Sequence, residues 1–324
     1  MRRREFTVFL GSAAALPLAS WAQQPEKIRV IGYLTPAAKP SLRDEVFQTG
    51  MRELGWIEGK NIRIEYRRAA NSTERLALMA EELVRLKVDL IVALSTPAVQ
   101  AAKNATQTIP VVTISADPLG NRFVASLARP GGNITGLSMM MHQLTVKRLE
   151  LLKEILPKLS RVAFLAYESD PSHTIFLKEA QDAGASLRIQ IQPVVVKGAG
   201  DFESAFSAMK KEKADALDIQ ALFINVLGAG PQLVALAAKN RIPVTSGGDE
   251  FAEAGGIMFY GPDPLAVYKR IAVYVDLVLK GSKPADLPVE QPRTFQLVVN
   301  LKTAKTLGFK IPQSILLRAD RVIE

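Results

Sequence analysis

The chain has 324 residues, of which 48% are hydrophobic and 23% charged, and its formal net charge at pH 7 is +9. This length accommodates two domains of ordinary size, and the composition is typical of a globular protein rather than a disordered one. The chain contains no cysteine, which excludes disulfides, a lipoprotein anchor, thiol catalysis and metal sites with cysteine ligands.

The first 22 residues have the pattern of an export signal. Arginines at positions 2 to 4 precede an apolar segment, residues 6–19, that is too short to span a bilayer, and Ser20-Trp21-Ala22 fits a small-x-small cleavage site. Arg3-Arg4 resembles a twin-arginine signal, but the residues after it depart from the usual continuation, so Tat and Sec export both stay open. We predict a periplasmic protein; an uncleaved membrane anchor is the alternative.

The positive charge does not have the distribution of a nucleic-acid-binding surface. Loss of residues 1–22 removes three Arg and one Glu, which lowers the formal charge from +9 to +7. The remaining Lys and Arg are scattered along predicted helices and alternate with acidic residues, without a basic run interleaved with aromatics. We predict a solvated surface and no nucleic-acid partner.

Strands and helices alternate along the rest of the chain, which predicts doubly wound parallel sheets in an α/β fold. Short runs of branched apolar residues indicate the strands, and apolar residues at helical spacing indicate the helices. The predicted strands are residues 28–34, 61–67, 89–94, 110–115, 134–139, 161–167, 187–196, 215–219, 243–246 and 295–300. The predicted helices are residues 42–54, 73–87, 97–105, 123–127 (a short helical turn), 144–156, 173–183, 201–212, 231–240, 264–279 and 301–307.

Small polar residues follow two neighbouring strands in the stretch 88–118. Ser95 and Thr96 come directly after one strand, and Ser115 and Asp117 come at the end of the next. In open parallel α/β sheets, ligands bind beyond the carboxyl ends of the strands, where helix N-termini offer free N–H groups. The hydroxyls of Ser95 and Thr96 are therefore candidates for binding a ligand carboxylate, with capping of the following helix as the alternative role, and Ser115 is a candidate for ligand contact.

An approximate repeat occurs about 130 residues later. Residues 108–117 resemble residues 241–249, which places Asp117 and Asp249 at equivalent positions. Two similar halves predict two lobes that face each other across a cleft. Each aspartate could accept a ligand ammonium or cap a helix, and two further serines at strand ends, Ser138 and Ser246, are candidates for ligand contact.

Four aromatic residues near predicted carboxyl ends of strands could form walls of a binding site: Tyr33, Tyr167, Phe251 and Tyr260. A tyrosine there supplies a flat apolar face and a hydroxyl. Ordinary core packing is the alternative for each. Trp56 lies at the opposite end of the predicted sheet, and we interpret it as structural.

Patterns of catalytic and metal sites are missing from the sequence. His142 and His173 have neither cysteine partners nor HxxH or HExxH spacing, and no G-x-S-x-G elbow occurs. The segment GGNITG at residues 131–136 is not followed by Lys-Ser/Thr and is therefore no P-loop. We predict a non-enzymatic protein without metal or cofactor.

Several segments together resemble a known family. They are GMRELGWIEGKNIRIEYR at 50–67, LARPGGNITG at 127–136, KRLELLKE at 147–154, VEQP at 289–292, VNLKTAK at 299–305 and LRAD at 317–320. Over essentially the whole mature chain, the sequence is similar to the tryptophan/tyrosine ABC transporter substrate-binding protein family.

This resemblance implies a type I periplasmic binding protein whose two doubly wound lobes are joined by a three-crossover hinge. It places residues 25–139 and 257–290 in the first lobe and residues 140–256 and 291–324 in the second. It also implies a monomer that captures a small solute, such as an aromatic or other amino acid or an aromatic carboxylate, and delivers it to an ABC permease and ATPase at the inner membrane.

The chain departs from the family pattern after the strand at 215–219. The family commonly has Asp-Pro there, whereas this chain has Ala221-Leu222, which leaves the ligand class open. A ligand sensor that presents its closed form to a membrane receptor would share these sequence features, and an exported enzyme is a further alternative. A repressor of the same architecture would need an N-terminal helix-turn-helix, where this chain has the export signal.

Overall fold

The computed structural model describes residues 28–222, 228–248 and 251–324. The predicted export signal and Asp249 lie outside these ranges. The described chain forms two α/β lobes, and we call the lobe with the five-stranded sheet the first lobe and that with the seven-stranded sheet the second lobe. Within these ranges, no helix has the length and apolar content needed to cross a bilayer.

Both sheets are largely parallel, as the alternation of strands and helices predicts. The strands are β1 (Arg29–Thr35), β2 (Ile62–Arg68), β3 (Leu90–Leu94), β4 (Val111–Ser115), β5 (Ile134–Ser138), β6 (Arg161–Tyr167), β7 (Gln190–Val196), β8 (Ala216–Ile219), β9 (Val244–Ser246), β10 (Met258–Pro262), β11 (Phe295–Asn300) and β12 (Arg321–Ile323). Their orders are β2-β1-β3-β4-β5 and β12-β11-β10-β9-β8-β6-β7, with β11 antiparallel to β10.

Helices cover both faces of each sheet, so the central strands are buried on both sides. They are α1 (Leu42–Glu53), α2 (Thr73–Arg85), α3 (Thr96–Ala105), α4 (Met141–Ile155), α5 (His173–Leu187), α6 (Phe202–Lys211), α7 (Gly230–Asn240), α8 (Phe251–Ala254), α9 (Pro264–Leu279), α10 (Leu301–Leu307) and α11 (Gln313–Leu316). Every residue of β3, β4 and β5 is buried, which explains their continuous apolar sequences.

Helix α9 returns from the second lobe to the first. Its residues Ile271 and Val275 pack in the same buried cluster as Phe47 of α1 and Ile31 of β1. The chain therefore crosses between the lobes three times, after β5, after β10 and through residues 290–294 before β11. The third crossing is held to the first lobe by Glu290, whose backbone N–H donates to the Gly136 carbonyl at 3.0 Å.

The second crossing lies later than the expected boundary at residue 257. Residues 258–262 form β10, a strand missing from the sequence prediction, which pairs with β9 and β11 in the second sheet. The backbone groups of this segment are satisfied in that sheet, and its side chains Met258 and Phe259 are buried there. Residues 257–262 thus extend the second lobe, and the chain enters the first lobe at α9.

The predicted helical turn at residues 123–127 is wrong. The N–H of Phe123 donates to the Pro118 carbonyl at 2.8 Å, and that of Ala125 donates to the Pro130 carbonyl at 3.0 Å. These bonds connect the segment to loop residues before and after it rather than along a helix axis, and Phe123 and Val124 are buried in the first lobe. Helix α5 also runs further than predicted, to Leu187.

A buried ion pair connects α4 to the second sheet. The Arg148 guanidinium donates from Nε and Nη2 to the two carboxylate oxygens of Asp218, at 3.1 and 3.2 Å, and Nη2 also donates to Thr145 Oγ1 at 2.8 Å. The Arg148 and Asp218 side chains are 1% and 0% exposed. Burial raises the pKa of Asp218, and the guanidinium acts against that rise. The pair fixes the helix that follows the first crossing.

We expect Arg148→Met to lower the free energy of unfolding by about 3 to 5 kcal/mol, because it leaves the buried Asp218 carboxylate without its partner. Urea unfolding followed by circular dichroism measures this change. The matched control is Lys239→Met, which breaks the exposed Lys239–Glu203 pair (both side chains 69% exposed) and should change stability far less. Equal effects of the two substitutions would contradict the role assigned to the buried pair.

Candidate functional site

A cavity of about 600 Å³ lies between the two lobes. Its walls come from the carboxyl ends of β1, β3 and β4 in the first lobe and from the segments after β6 and β8 in the second. The volume is in the range of small-molecule sites in proteins. Four residues predicted from the sequence line it: Tyr33, Ser95, Thr96 and Ser115.

Ser95 caps α3 and faces the cavity in a strained conformation. Its Oγ accepts the N–H of Ala98 at 3.4 Å, and its φ of 108° with ψ of 156° is a region that residues other than glycine rarely adopt. Such strain costs about 1 to 3 kcal/mol and is concentrated at functional sites. The next residue, Thr96, accepts the N–H of Ala116 at its Oγ1 at 3.4 Å. Ser95 therefore both caps α3 and lines the cavity.

Ser115 presents an unsatisfied hydroxyl. The residue is 1% exposed, and its Oγ has no hydrogen-bond partner among the described residues. A buried hydroxyl without a partner costs about 1 to 3 kcal/mol. Since Ser115 lines the cavity, a bound molecule can supply the missing partner.

Tyr33 forms an aromatic wall that is fixed by its neighbours. Its ring is tilted against those of Phe47 and Tyr66, with centroids 5.4 and 5.2 Å away, and the Arg68 guanidinium lies over it at 5.8 Å. Burial and the adjacent Asp44 carboxylate raise the pKa of Tyr33 well above its ordinary value, so the phenol stays neutral. The ring can serve as an apolar contact surface for a ligand.

Arg68 and Asp44 form an ion pair beside this wall, with Nη2 and Oδ1 separated by 2.9 Å. Burial works to raise the pKa of Asp44, but hydrogen bonds from Arg68, Tyr33 and Ser41 outweigh it and lower the pKa. The Asp44 carboxylate also accepts the Ser41 N–H at 2.7 Å, which closes the capping box of α1. The Arg68 guanidinium and the Asp44 carboxylate therefore have each other as counter-ions within the protein.

The second lobe contributes Asp170 and Gln220 to the cavity wall. Asp170 is 2% exposed; it accepts the Ser172 N–H at 2.9 Å and a hydrogen bond from the Gln220 side-chain amide. Burial raises the pKa of the Asp170 carboxyl to about 6, although the hydrogen bonds from Ser172 and Gln220 and the nearby His173 oppose the rise. The sequence prediction missed both residues. The rule that identified Ser95 applies here too, because Asp170 follows strand β6.

Three other predicted residues lie outside the cavity lining and make local hydrogen bonds. The Asp117 carboxylate accepts the Gly120 N–H at 2.9 Å, which closes the turn after β4 rather than capping a helix. Ser138 accepts the Met140 N–H at 3.4 Å, and Ser246 donates to the Ile219 carbonyl at 2.9 Å. These side chains stabilise the turns that follow β4, β5 and β9.

The two remaining tyrosines also lie outside the lining. The Tyr167 ring packs against the core of the second lobe, and its N–H donates to Gln220 Oε1 at 2.9 Å. Tyr260 stacks on Phe295 with centroids 6.2 Å apart. Trp56 donates from Nε1 to Asp276 at 2.8 Å, outside the cavity lining, in keeping with a structural role.

We expect the stability of Asp170→Asn relative to the wild type to be about 1 to 3 kcal/mol more favourable at pH 7 than at pH 4, because the asparagine does not titrate and folding of the variant buries no charge. Between pH 3.8 and about 6, the folded protein keeps a proton on Asp170 that the unfolded chain has released. The free energy of unfolding of the wild type therefore falls as the pH rises through this window. The difference that remains near pH 4 is the constant cost of placing the asparagine amide against the Gln220 NH₂ group.

Urea unfolding at pH 4 and pH 7 measures this difference. Glu168→Gln is the control, because Glu168 is on the same loop with a side chain that is 52% exposed. A stability difference between Asp170→Asn and the wild type that is the same at pH 4 and at pH 7 would contradict the prediction.

Known proteins resemble this chain over most of its length. The tyrosine-binding protein of Clostridioides difficile (strain R20291) is 27% identical over 288 residues, which cover 88% of this chain and 82% of that protein. The crystal structure of an ABC domain in complex with L-Trp from Streptococcus pneumoniae is 26% identical, with a TM-score of 0.82 and coverage of 92% of this chain and 100% of that one. A conserved domain protein from Vibrio cholerae is 27% identical, also with a TM-score of 0.82, and covers 92% of this chain and 99% of its own.

The two sheets and the connections between them are those of type I periplasmic binding proteins. The sequence model of the ABC transporter substrate binding proteins matches residues 28–323, which is nearly the whole described chain. The chain therefore belongs to the ABC transporter substrate binding protein family.

Proposed function

We propose that this protein is the solute-capturing component of an ABC importer. It takes up one aromatic or other amino acid, or an aromatic carboxylate, in the cavity between the lobes, closes around it and delivers it to a permease and ATPase at the inner membrane. The observation that carries the proposal is the cavity of about 600 Å³ whose wall is shared by the two lobes. A ligand held by both lobes favours the closed arrangement over the open one, and that difference shifts the population.

The cavity offers the groups that a small aromatic or amphiphilic acid needs. The hydroxyls of Ser95, Thr96 and Ser115 lie at the strand ends beside the N-terminus of α3, where a carboxylate is favoured. Aromatic side chains line the wall from both lobes, with Tyr33 and Tyr268 in the first and Phe176 in the second. The names of the relatives support an amino acid, since one is a tyrosine-binding protein and another was crystallised with L-Trp.

Delivery to a permease requires a location outside the inner membrane. The export signal predicted for residues 1–22 supplies that location, and the importer subunits would be encoded by separate genes. One copy of the chain contributes all the described walls of the cavity, in keeping with a monomeric binding protein.

A hydrogen bond between the lobes supports hinge closure. Asn121, in the loop after β4 of the first lobe, donates from Nδ2 to Ser172 Oγ of the second lobe at 2.9 Å, and also to the Asp117 carbonyl of its own loop at 2.7 Å. Neither Asn121 nor Ser172 lines the cavity. The bond therefore stabilises the arrangement around the ligand without contact to the ligand.

A thermal-shift screen of the purified protein, first freed of carried-over ligand, tests the proposed function. The compounds are the common amino acids and a set of aromatic carboxylates. Ligand at one hundred times its dissociation constant adds about 2.7 kcal/mol of stability, which moves the melting temperature by a few degrees. A shift without consumption of the compound is the expected result, and the absence of a shift with every compound would contradict the proposed ligand classes.

For the compound that binds, we expect Ser115→Ala to weaken affinity about tenfold, because a hydrogen bond to the ligand is lost. The ligand-free variant should be at least as stable as the wild type, since the unpaired hydroxyl is removed. The control is Thr113→Val on the same strand, where the hydroxyl donates to the Ala93 carbonyl at 3.0 Å, away from the cavity. The Thr113→Val variant should be less stable and have unchanged affinity. Unchanged affinity in Ser115→Ala together with weakened affinity in Thr113→Val would contradict the assignment of Ser115 to the ligand site.

We expect Asn121→Ala to weaken affinity about three- to tenfold through faster ligand dissociation, because the closed arrangement loses a bond that the open one lacks. Stopped-flow fluorescence measures the dissociation rate. Ser126→Ala is the control in the same loop, since the Ser126 hydroxyl bonds to Arg129 within the first lobe. Unchanged dissociation in the Asn121→Ala variant would contradict the closure role of the bond.

A further inference from the structure

The charges around the cavity leave one carboxylate without a counter-ion. Of the described residues that line it, the acidic ones are Asp44 and Asp170, and the basic ones, all from the first lobe, are Lys39, Arg43 and Arg68. Asp44 is paired with Arg68 at 2.9 Å. Asp170 forms no ion pair with any described residue, although it is 2% exposed. Buried charges in proteins are usually paired, since an isolated ion loses its hydration without compensation.

The groups that contact the Asp170 carboxylate are neutral donors. One is the Ser172 backbone N–H, at 2.9 Å from Oδ1, and another is the Gln220 amide, which donates to Oδ2. The nearest titratable side chain, His173, places its Nδ1 2.9 Å from the Asp170 backbone carbonyl oxygen rather than from the carboxylate. A carboxylate accepts about four hydrogen bonds, so acceptor capacity remains for a further donor.

Gln220 keeps this arrangement fixed. Its Oε1 accepts the Tyr167 N–H at 2.9 Å, so the amide must turn its NH₂ group towards Asp170. The next residue, Ala221, lines the cavity with a methyl group. The carboxylate is thus held at the wall of the second lobe, opposite the hydroxyls of the first.

We propose that Asp170, oriented by Gln220 and Ser172, accepts the ammonium group of the ligand and thereby selects amine-bearing solutes over the same compounds without the amine. This inference rests on the proposed function and names its substrate class: an amino acid rather than an aromatic carboxylate. Binding of an ammonium supplies the counter-charge that the described protein lacks at this position. A ligand without the amine leaves the buried carboxylate uncompensated and binds more weakly for that reason.

The position of Asp170 also connects recognition to closure. The backbone N–H of Ser172 donates to the Asp170 carboxylate, and Ser172 Oγ accepts a hydrogen bond from Asn121 Nδ2 of the first lobe. An ammonium bound at Asp170 therefore lies next to the bond that joins the lobes. The same short loop, between β6 and α5, serves both purposes.

Isothermal titration calorimetry at pH 7.5 tests the proposal with matched pairs of compounds. The amino acids are L-tryptophan, L-tyrosine and L-leucine, and their partners without the amine are indole-3-propionate, 3-(4-hydroxyphenyl)propionate and 4-methylpentanoate. For the pair that binds, we expect the amino acid to bind at least about tenfold more tightly. Asp170→Asn should weaken the affinity for the amino acid by about 10- to 100-fold, because the lost bond is to a charged group. The affinity for the matched compound without the amine should be nearly unchanged.

Two variants separate recognition from a merely structural role. In Asp170→Asn combined with Gln220→Glu, the carboxylate moves to the partner residue while the hydrogen bond between the two side chains and the total charge are kept. We expect this double variant to recover the preference for the amine. Glu168→Gln, which removes an exposed carboxylate from the same loop, should change neither affinity.

The outcomes are distinct. Equal weakening of both members of a pair by Asp170→Asn, or equal affinity of the wild type for both, would overturn the role of Asp170 while the solute-binding function stands. A preference of the double variant for the compound without the amine would also overturn it. If neither set binds the wild type, the proposed ligand classes fail and this assignment fails with them.

Discussion

The parallel strands of both sheets direct their carboxyl ends towards one shared cavity, and the site depends on this arrangement. The backbone reverses into a helix or loop after each of these strands, so short polar side chains and free N–H groups collect at the same edge. Ser95 after β3, Ser115 on β4 and Asp170 after β6 reach the cavity in this way. The rest of the fold, with helices packed on both sheet faces, keeps these edges in place.

Three cavity residues have energetically unfavourable local settings. Ser95 has a backbone conformation that is unfavourable for a non-glycine residue, Ser115 lacks a hydrogen-bond partner within the described chain, and Asp170 lacks a cationic one there. By contrast, Arg68 and Asp44 are matched to each other and support the aromatic wall. Departures from local stability are expected at functional sites, where a ligand compensates for them.

The family to which the chain belongs binds substrates without transforming them, so the expectation that the protein is not an enzyme is confirmed. We propose that ligand selectivity depends on Asp170, whose carboxylate has no cationic partner among the described residues, and on Ser115, whose buried hydroxyl has no hydrogen-bond partner there. The hydrogen bond between Asn121 and Ser172 joins the two lobes outside the cavity.

The sequence by itself determined the alternation of strands and helices, the two-lobe α/β class and the polar strand ends at Ser95, Thr96 and Ser115, because these depend on local periodicity and on turn chemistry. It missed β10, whose sequence MFYGP ends in Gly261-Pro262, a pair typical of turns, and whose strand pairing with β9 and β11 is decided by the tertiary structure. It could not separate Ser115 from Ser138 and Ser246, which have the same local setting. Tertiary structure alone decided which hydroxyl found a partner and that Asp170 remained without a cation, since those outcomes depend on which segments meet across the cavity.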